Sequence, residues 1–219
     1  MQLNTVIFDM DGLLIDSEPL WGEAADEVFK EYGVSLTPEQ YATTTGLRTK
    51  EFLLYWFRTF NISTEELPSA EKSILDAILQ KTNDRGNAMP GVEYIFSFFK
   101  EKKFKIGLAS SSPVELIDLV IDKLNIRSYI SVASAEHLPY GKPHPLVYLN
   151  CAETLKSDPS ECICFEDSFN GMIAVKAAKM KCVIIPEHKQ YDLAKWGAAD
   201  IKLFSLENFK EEHVTFLQH

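Results

Sequence analysis

Short apolar runs separated by amphipathic stretches set the pattern of this chain. Leu3 to Phe8 is rich in β-formers and stops at Asp-Met-Asp-Gly, which predicts a buried strand ending in a loop. Runs of the same kind recur at Phe104–Ala109, Tyr129–Ala133, Glu161–Phe165, Lys181–Ile185 and Asp200–Phe204. Between most of them the apolar residues take helical spacing, over Val92–Lys100, Val114–Leu124, Leu146–Leu155 and Gly171–Met180. Strands alternating with helices predict an α/β fold with a parallel sheet covered on both faces, and such sheets carry their sites beyond the carboxyl ends of the strands.

The stretch from 16 to 85 breaks the alternation, with several helical patterns and no convincing strand. It is expected to be a helical insert, leaving 1–15 and 86–219 to form the core. Phe52, Tyr55, Trp56 and Phe60 recur at i, i+3, i+4 and i+8, enough for one apolar face, either the core of a small bundle or a wall against substrate. KTNDRGNAMPGVE, with its Asn, Asp, Gly and Pro, reads as the return linker.

Composition narrows the function classes. At 219 residues with 46% hydrophobic and 25% charged positions, the chain can bury a substantial core. A net charge of -10 argues against nucleic acid as a partner, because neutralising phosphates along a strand needs clustered Lys and Arg. An anionic substrate would need local help from a metal ion, a lysine or helix N-termini. No apolar run is long enough to span a bilayer and the start lacks a signal-peptide pattern, so no membrane partner and a cytoplasmic location are expected. The four cysteines form no C-x-x-C pair; Cys162 and Cys164, two apart on a predicted strand, face one side as small buried hydrophobes, and no zinc site is expected.

Four segments carry candidate chemistry. In FDMDGLLIDSE, Asp9 and Asp11 would leave the first strand on the same face, where repulsion and a metal can keep one carboxylate ionised as a nucleophile while the other holds a proton; a calcium-type loop or a polar turn is the competing reading. In ASSSPVE, Ser112 and Glu115 fit a capping box with Pro113 at the first helical position, which leaves Ser110 and the amide of Ser111 for a phosphate or, more simply, for the turn. Lys142, in YGKPHP, is stiffened by its flanking proline and could cancel charge between a carboxylate and a phosphoryl group, or be a solvated surface lysine. His144 in the same segment reads as a packed or helix-starting residue sooner than a ligand. Glu166 and Asp167 follow a buried strand, where acids are costly unless hydrated or metal-bound; helix capping by Asp167 or Ser168 competes. Asp9, the Asp11 carbonyl and Asp167 could together hold Mg2+, with Glu166 as a further ligand or holding a water. All four segments fall at strand ends on one sheet edge.

The sequence resembles the haloacid dehalogenase superfamily of phosphotransferases. DMDGLLIDSE looks like its first motif, LASSS its second, Lys142 of GKPHP its third and FEDS its fourth. The resemblance covers nearly the whole chain and implies a Rossmann-like core with a small helical cap inserted after the first motif. It implies Asp9 as nucleophile, Asp11 as general acid and base, Ser110 and Lys142 as phosphate ligands, and Asp167 as a magnesium ligand. Within the superfamily, DMDGLLIDSEPLW, SAEHLPYGKPHPLVYLNCAE and EDSFNGMIAVKAAKM are similar to bacterial hexitol and 2-deoxyglucose-6-phosphate phosphatases.

The expected activity is therefore magnesium-dependent hydrolysis of a small phosphorylated metabolite, a hexose or hexitol phosphate, through a phosphorylated Asp9. A β-phosphoglucomutase-like mutase is the alternative, weakened because Trp21 stands where that family has a cap histidine. A non-catalytic binder of phosphorylated metabolites would have no need of Asp11. In the cap, Arg48 of the Gly46-Leu47-Arg48 segment is expected to reach a substrate hydroxyl or phosphate, with an interdomain ion pair as its other reading. The sequence sets no oligomeric state.

Overall fold

The fold, described here from a computed structural model over residues 2–218, is built on one six-stranded parallel sheet. Its strands are β1 (Thr5–Phe8), β2 (Lys105–Ser110), β3 (Ser131–Ser134), β4 (Cys162–Glu166), β5 (Lys181–Ile184) and β6 (Ile201–Lys202), in the order β3-β2-β1-β4-β5-β6. The chain winds outward from β1 to one edge, then returns to fill the other. The order therefore reverses at β1, and a crevice opens over its carboxyl end. Register sharpens this: Phe8 lies opposite Leu108 on one side and Phe165 on the other, so the residues following all three strands emerge together.

Between β1 and β2 run α1 (Glu18–Glu31), α2 (Pro38–Ala42), α3 (Thr49–Thr59), α4 (Leu67–Arg85) and α5 (Val92–Glu101). The helix α6 (Val114–Lys123) joins β2 to β3, α7 (Leu146–Thr154) joins β3 to β4, α8 (Phe169–Ala177) joins β4 to β5, and α9 (Glu211–Gln218) closes the chain. Side chains alternate across the sheet as strand geometry requires. Val6, Phe8, Leu108, Ile163 and Phe165 face one apolar cluster that includes α5 and α6; Ile7, Ala109, Cys162, Cys164 and Cys182 face another that includes α7 and α8. All four cysteines are buried and unpaired, and burial pushes the Cys151 and Cys162 thiols up to about 12, which makes them inert packing groups.

The helical insert has an apolar cluster of its own, formed by Ala25, Phe29, Leu53, Trp56, Phe57 and Ile74 among others. The aromatic stripe divides between its two readings. Trp56 is buried in the bundle with Phe60 stacked on it, Phe52 also reaches the site described below, and Tyr55 is 51% exposed. The predicted strand at Tyr129–Ala133 begins later than expected because Arg127–Tyr129 closes a turn of 3-10 helix, and the edge strand β6 is only two residues long. No helix among the described residues is long and apolar enough to cross a membrane.

Phe165 is the centre of the first cluster. It stacks on Phe8 at 5.1 Å and meets Phe99 at 5.8 Å and Phe209 at 4.9 Å, with no exposed surface. Phe165→Ala is expected to cost about 3–5 kcal/mol, the range for emptying a buried aromatic site, read as a lowered midpoint in urea unfolding.

Candidate active site

Asp9 is the first residue beyond β1, and its amide is fixed by donating to the Phe165 carbonyl at 3.0 Å. Its carboxylate meets the Lys142 ammonium, which donates to Asp9 Oδ1 at 2.7 Å and to Glu166 Oε1 at 2.6 Å. Lys142 is 1% exposed, so these two carboxylates replace its hydration shell. Glu166 is held in turn from both sides. The Tyr148 hydroxyl donates to Oε1 at 2.5 Å, while Oε2 accepts from the amides of Asp167 and Ser168 and from Ser168 Oγ, each at 3.1 Å. The last two are donors at the N-terminus of α8, where backbone N–H groups are otherwise unpaired. Gly171 makes this possible, since a Cβ there would overlap the Glu166 carboxylate.

Asp11 lies in the turn after β1, where Gly12 takes φ +69° and a side chain would overlap the Asp167 carboxylate. Ser17 Oγ and the Trp21 indole donate to Asp11 Oδ1 at 2.6 and 2.9 Å, and Ser112 Oγ donates to Oδ2 at 2.5 Å. Ser110 Oγ accepts from the Ser112 amide at 3.0 Å, and Ser111 Oγ donates to the Gly46 carbonyl of the insert at 2.8 Å. Asp9, Asp11, Ser110, Ser111, Lys142 and Asp167 line one chamber of about 60 Å³. Its opposite wall belongs to the insert: Trp21, Tyr41, Thr44, Thr45, Thr49 and Phe52.

Charge in this chamber is unbalanced. Burial, reinforced by Glu166, pushes the Asp9 carboxyl up to about 7 despite Lys142. Burial and the neighbouring Asp11 and Asp9 push Glu18 up to about 8, and burial with Glu166 and Glu18 holds Asp167 well above the usual carboxylate range. For Lys142, burial favours the neutral amine, but Asp9 and Glu166 outweigh it and hold the ammonium above its ordinary value. Carboxylate oxygens of Asp9, Glu166 and Asp167 come within 4.8 Å of one another. An all-oxygen, anionic cluster with one cation beside it fits a hard divalent ion such as magnesium.

Two expectations are corrected. Arg48 does not turn into the chamber: its guanidinium donates to the carbonyls of Ala135 and Leu138 at 3.2 and 2.6 Å and to Glu51 at 2.5 Å. Two fixed carbonyls and a carboxylate satisfy most of its planar fork, and it ties the insert to the core. Ser112 does not cap α6. That helix starts at Val114 with Glu136 accepting from the Val114 amide, and the Ser112 hydroxyl serves the Asp11 carboxylate, a charge-assisted bond stronger than a neutral cap. Glu166 is one of the three carboxylates of the acidic cluster, and its two oxygens also accept from five donors, Lys142 among them. His144 is a helix-starting residue, its Nδ1 accepting from the Leu146 amide.

Sequence reading passed over Glu18 and Tyr148 and gave Ser17 no role. Glu18 closes the same FDMDGLLIDSE segment, seven residues beyond Asp11; Tyr148 lies on the apolar face of α7, where a buried phenol needs a partner for its hydroxyl.

Against known proteins, the family profile described as haloacid dehalogenase-like hydrolase matches residues 6–185. The chain belongs to this family. It is 38% identical to hexitol phosphatase B of Escherichia coli K12 over 207 residues, covering 94% of this chain and 93% of that one. It is 30% identical to the phosphorylated carbohydrates phosphatase of Thermotoga maritima, covering 87% and 88%. Among solved structures, β-phosphoglucomutase from Clostridium difficile superposes with a TM-score of 0.87 at 23% identity, covering 99% and 97%, a likeness of fold. Taken with the family, the relatives make this chain a phosphatase, a phosphoric monoester hydrolase.

Two outcomes follow. The protonated forms of Asp9 and Glu18 persist in the folded chain at pH values where the unfolded chain has already ionised them. The unfolded state thus binds fewer protons, and the metal-free protein loses stability as pH rises from the ordinary carboxylate range through about 7 and about 8. Melting temperature in EDTA should fall between about pH 5.5 and pH 8, and added magnesium should raise it more at the higher pH. Separately, Gly171→Ala should destabilise the protein by about 1–3 kcal/mol, as overpacking does, although Ala is the better helix former; chemical denaturation measures it.

Proposed function

We propose that this phosphatase hydrolyses small sugar or polyol phosphates, with magnesium as cofactor and phosphorylated Asp9 as the intermediate. The observation that carries the reading is the chamber in which Asp9, paired with Lys142 at 2.7 Å, faces Asp11 and Asp167 on the core side and aromatic and threonine side chains on the other. Hexitol and carbohydrate phosphatases among the relatives support a polyhydroxylated leaving group. So does the wall, since threonine and tyrosine hydroxyls pair with sugar hydroxyls while aromatic faces cover C–H groups.

In this scheme the Asp9 carboxylate attacks phosphorus, the bond to the ester oxygen breaks, and Asp11 gives its proton to the departing alkoxide. A phosphoaspartate results. Water then loses a proton to Asp11 and attacks the same phosphorus; the acyl–phosphate bond breaks, phosphate leaves and the Asp9 carboxylate is restored. Lys142 and the groups at Ser110 and Ser111 hold phosphate oxygens and offset their charge. Asp9, Asp167 and the Asp11 carbonyl would hold the magnesium ion, which supplies charge neutralisation between phosphate and carboxylate. Residues 16–85 act as a cap that closes on the core formed by 1–15 and 86–219 and keeps bulk water out.

The test is release of inorganic phosphate from a panel of hexose and hexitol phosphates, with magnesium or EDTA, while chromatography follows isomerised sugar phosphates. Asp9→Asn is expected to abolish turnover, and Asp11→Asn to slow it by about 10²–10⁴, the usual worth of a general acid–base group. Near-normal release from either variant would overturn the scheme, and isomerisation without release would assign the chain to mutases.

A further inference from the structure

Among the hydrogen bonds that join the helical insert to the core, two end on a carboxylate of the chamber, from Ser17 at the very start of the insert and from Trp21 further along it, both to Asp11 Oδ1. Ser111 Oγ donates to the Gly46 carbonyl, Asn170 Nδ2 to the Thr45 carbonyl, and Arg48 to the carbonyls of Ala135 and Leu138. Each of these ties backbone to side chain at the rim. The Trp21 indole, carried on α1, instead donates to Asp11 Oδ1 at 2.9 Å.

Trp21 is also fixed more firmly than a surface residue would be. Its ring packs against the apolar cluster on one face of the sheet and against the separate cluster inside the insert. Packing on two sides leaves the indole few rotamers, so its N–H vector is set by how insert and core meet. The other donors to Asp11 come from the hinge, Ser17, and from the loop after β2, Ser112. Ser17 and Ser112 already hold one oxygen each; Trp21 adds a second donor to Oδ1, and the one whose direction is fixed by packing.

The chemistry of the side chain limits its part. An indole N–H is a donor only, and carries no proton that could be exchanged in the reaction. It therefore acts through Asp11 and takes no proton-transfer step itself. A hydroxyl donor such as Ser17 can reorient and accept; the indole cannot.

We propose that Trp21 is a positioning residue for the acid–base carboxylate: closure of the insert brings its N–H onto Asp11 Oδ1 and aims Asp11 at the leaving-group side of the chamber. The inference rests on the phosphatase scheme above. It assigns to the insert a share in the chemistry of the first step, beyond shielding it and reading the leaving group.

The test separates substrates by how much they need a proton. A hexitol phosphate leaves as a strongly basic alkoxide, whereas p-nitrophenyl phosphate leaves as a stable phenolate that needs none. With Trp21→Phe, which keeps an aromatic ring and removes the donor, kcat/KM for sorbitol 6-phosphate is expected to fall about 10–100-fold, as misplacing a catalytic group by about an ångström does. For p-nitrophenyl phosphate, which meets the same wall but needs no proton, kcat/KM, which reports formation of the phosphoenzyme, should fall by a factor at least about 5 smaller than for the hexitol phosphate. Trp21→His, which restores a ring N–H, should recover part of the loss on the hexitol phosphate while leaving p-nitrophenyl phosphate unchanged. Melting temperature with and without magnesium guards against misfolding, and the histidine variant decides the matter if the phenylalanine variant fails to fold. An equal fall on both substrates, a rise in KM alone, or no change on either overturns the proposal. Failure of the phosphatase scheme would show differently, as absence of phosphate release from the wild type with every substrate.

Discussion

A buried ammonium ion is the constraint around which this structure is organised. Lys142 has no water to solvate it, and an unpaired charge in that position would cost several kcal/mol. Two carboxylates must therefore come to it, and they come from the ends of neighbouring strands: Asp9 after β1 and Glu166 at the end of β4. Bringing them there creates the opposite difficulty, because Glu166 is itself fully buried. Tyr148, Ser168 and the first amides of α8 meet that need, and Gly171 leaves space for the carboxylate against the helix. The placement of α7 and α8 on their face of the sheet is thus tied to the electrostatics of one lysine.

The same arrangement leaves a surplus of negative charge. Glu166 is committed to Lys142, yet Asp9, Asp11, Asp167 and Glu18 still share the chamber. Raised protonation of Asp9, Asp167 and Glu18 is how a metal-free chain relieves the crowding. A divalent cation relieves it without protons and so makes the carboxylates available as anions. Asp9, the neighbouring carboxylates and Lys142 are in this sense a single electrostatic unit: removing any of the charges changes the ionisation of the others.

The sheet was legible because buried parallel strands are written as uninterrupted β-rich runs, and five of the six runs fall on strands of four residues or more. Asp9, Asp11, Ser110 and Asp167 were legible for a related reason: each follows or closes a strand, where a polar group next to an apolar run stands out, while Lys142 was marked by the glycine and proline that flank it in a loop before α7. The roles of Glu166, Ser112 and Arg48 were harder, because local rules compete with distant partners. Ser112 has everything a capping box requires in sequence, but a carboxylate 101 positions earlier in the chain takes its hydroxyl. Arg48 looked like a substrate ligand because its surroundings suggested approach to the site, while the carbonyls that capture it, at Ala135 and Leu138, carry no sequence signal at all. Tyr148 was invisible as a functional residue for the converse reason, since helical periodicity explains its burial completely and says nothing of its hydroxyl. The C-terminal helix α9 is short and polar on most of its surface, and its two buried residues, Val214 and Leu217, gave too little periodicity to mark it.

Backbone carbonyls divide the contact between insert and core into two kinds of bond. Those of Thr45, Gly46, Ala135 and Leu138 accept from the partner segment whatever side chains their own residues carry. Docking through them can persist while the side chains on the chamber wall change. Thr44 shows the complementary case: its hydroxyl accepts from the Trp56 indole and donates to the Tyr41 carbonyl, which fixes one part of the wall from inside the insert. Thr45, Thr49 and Phe52 line the chamber as well, with no hydrogen bond from their side chains to the core among the described residues. A scaffold that docks through main chain can exchange the side chains of its chamber wall and keep its docking bonds. Trp21 is the exception that links the two, because a change there would alter the wall, the fit of the insert and the aim of Asp11 together.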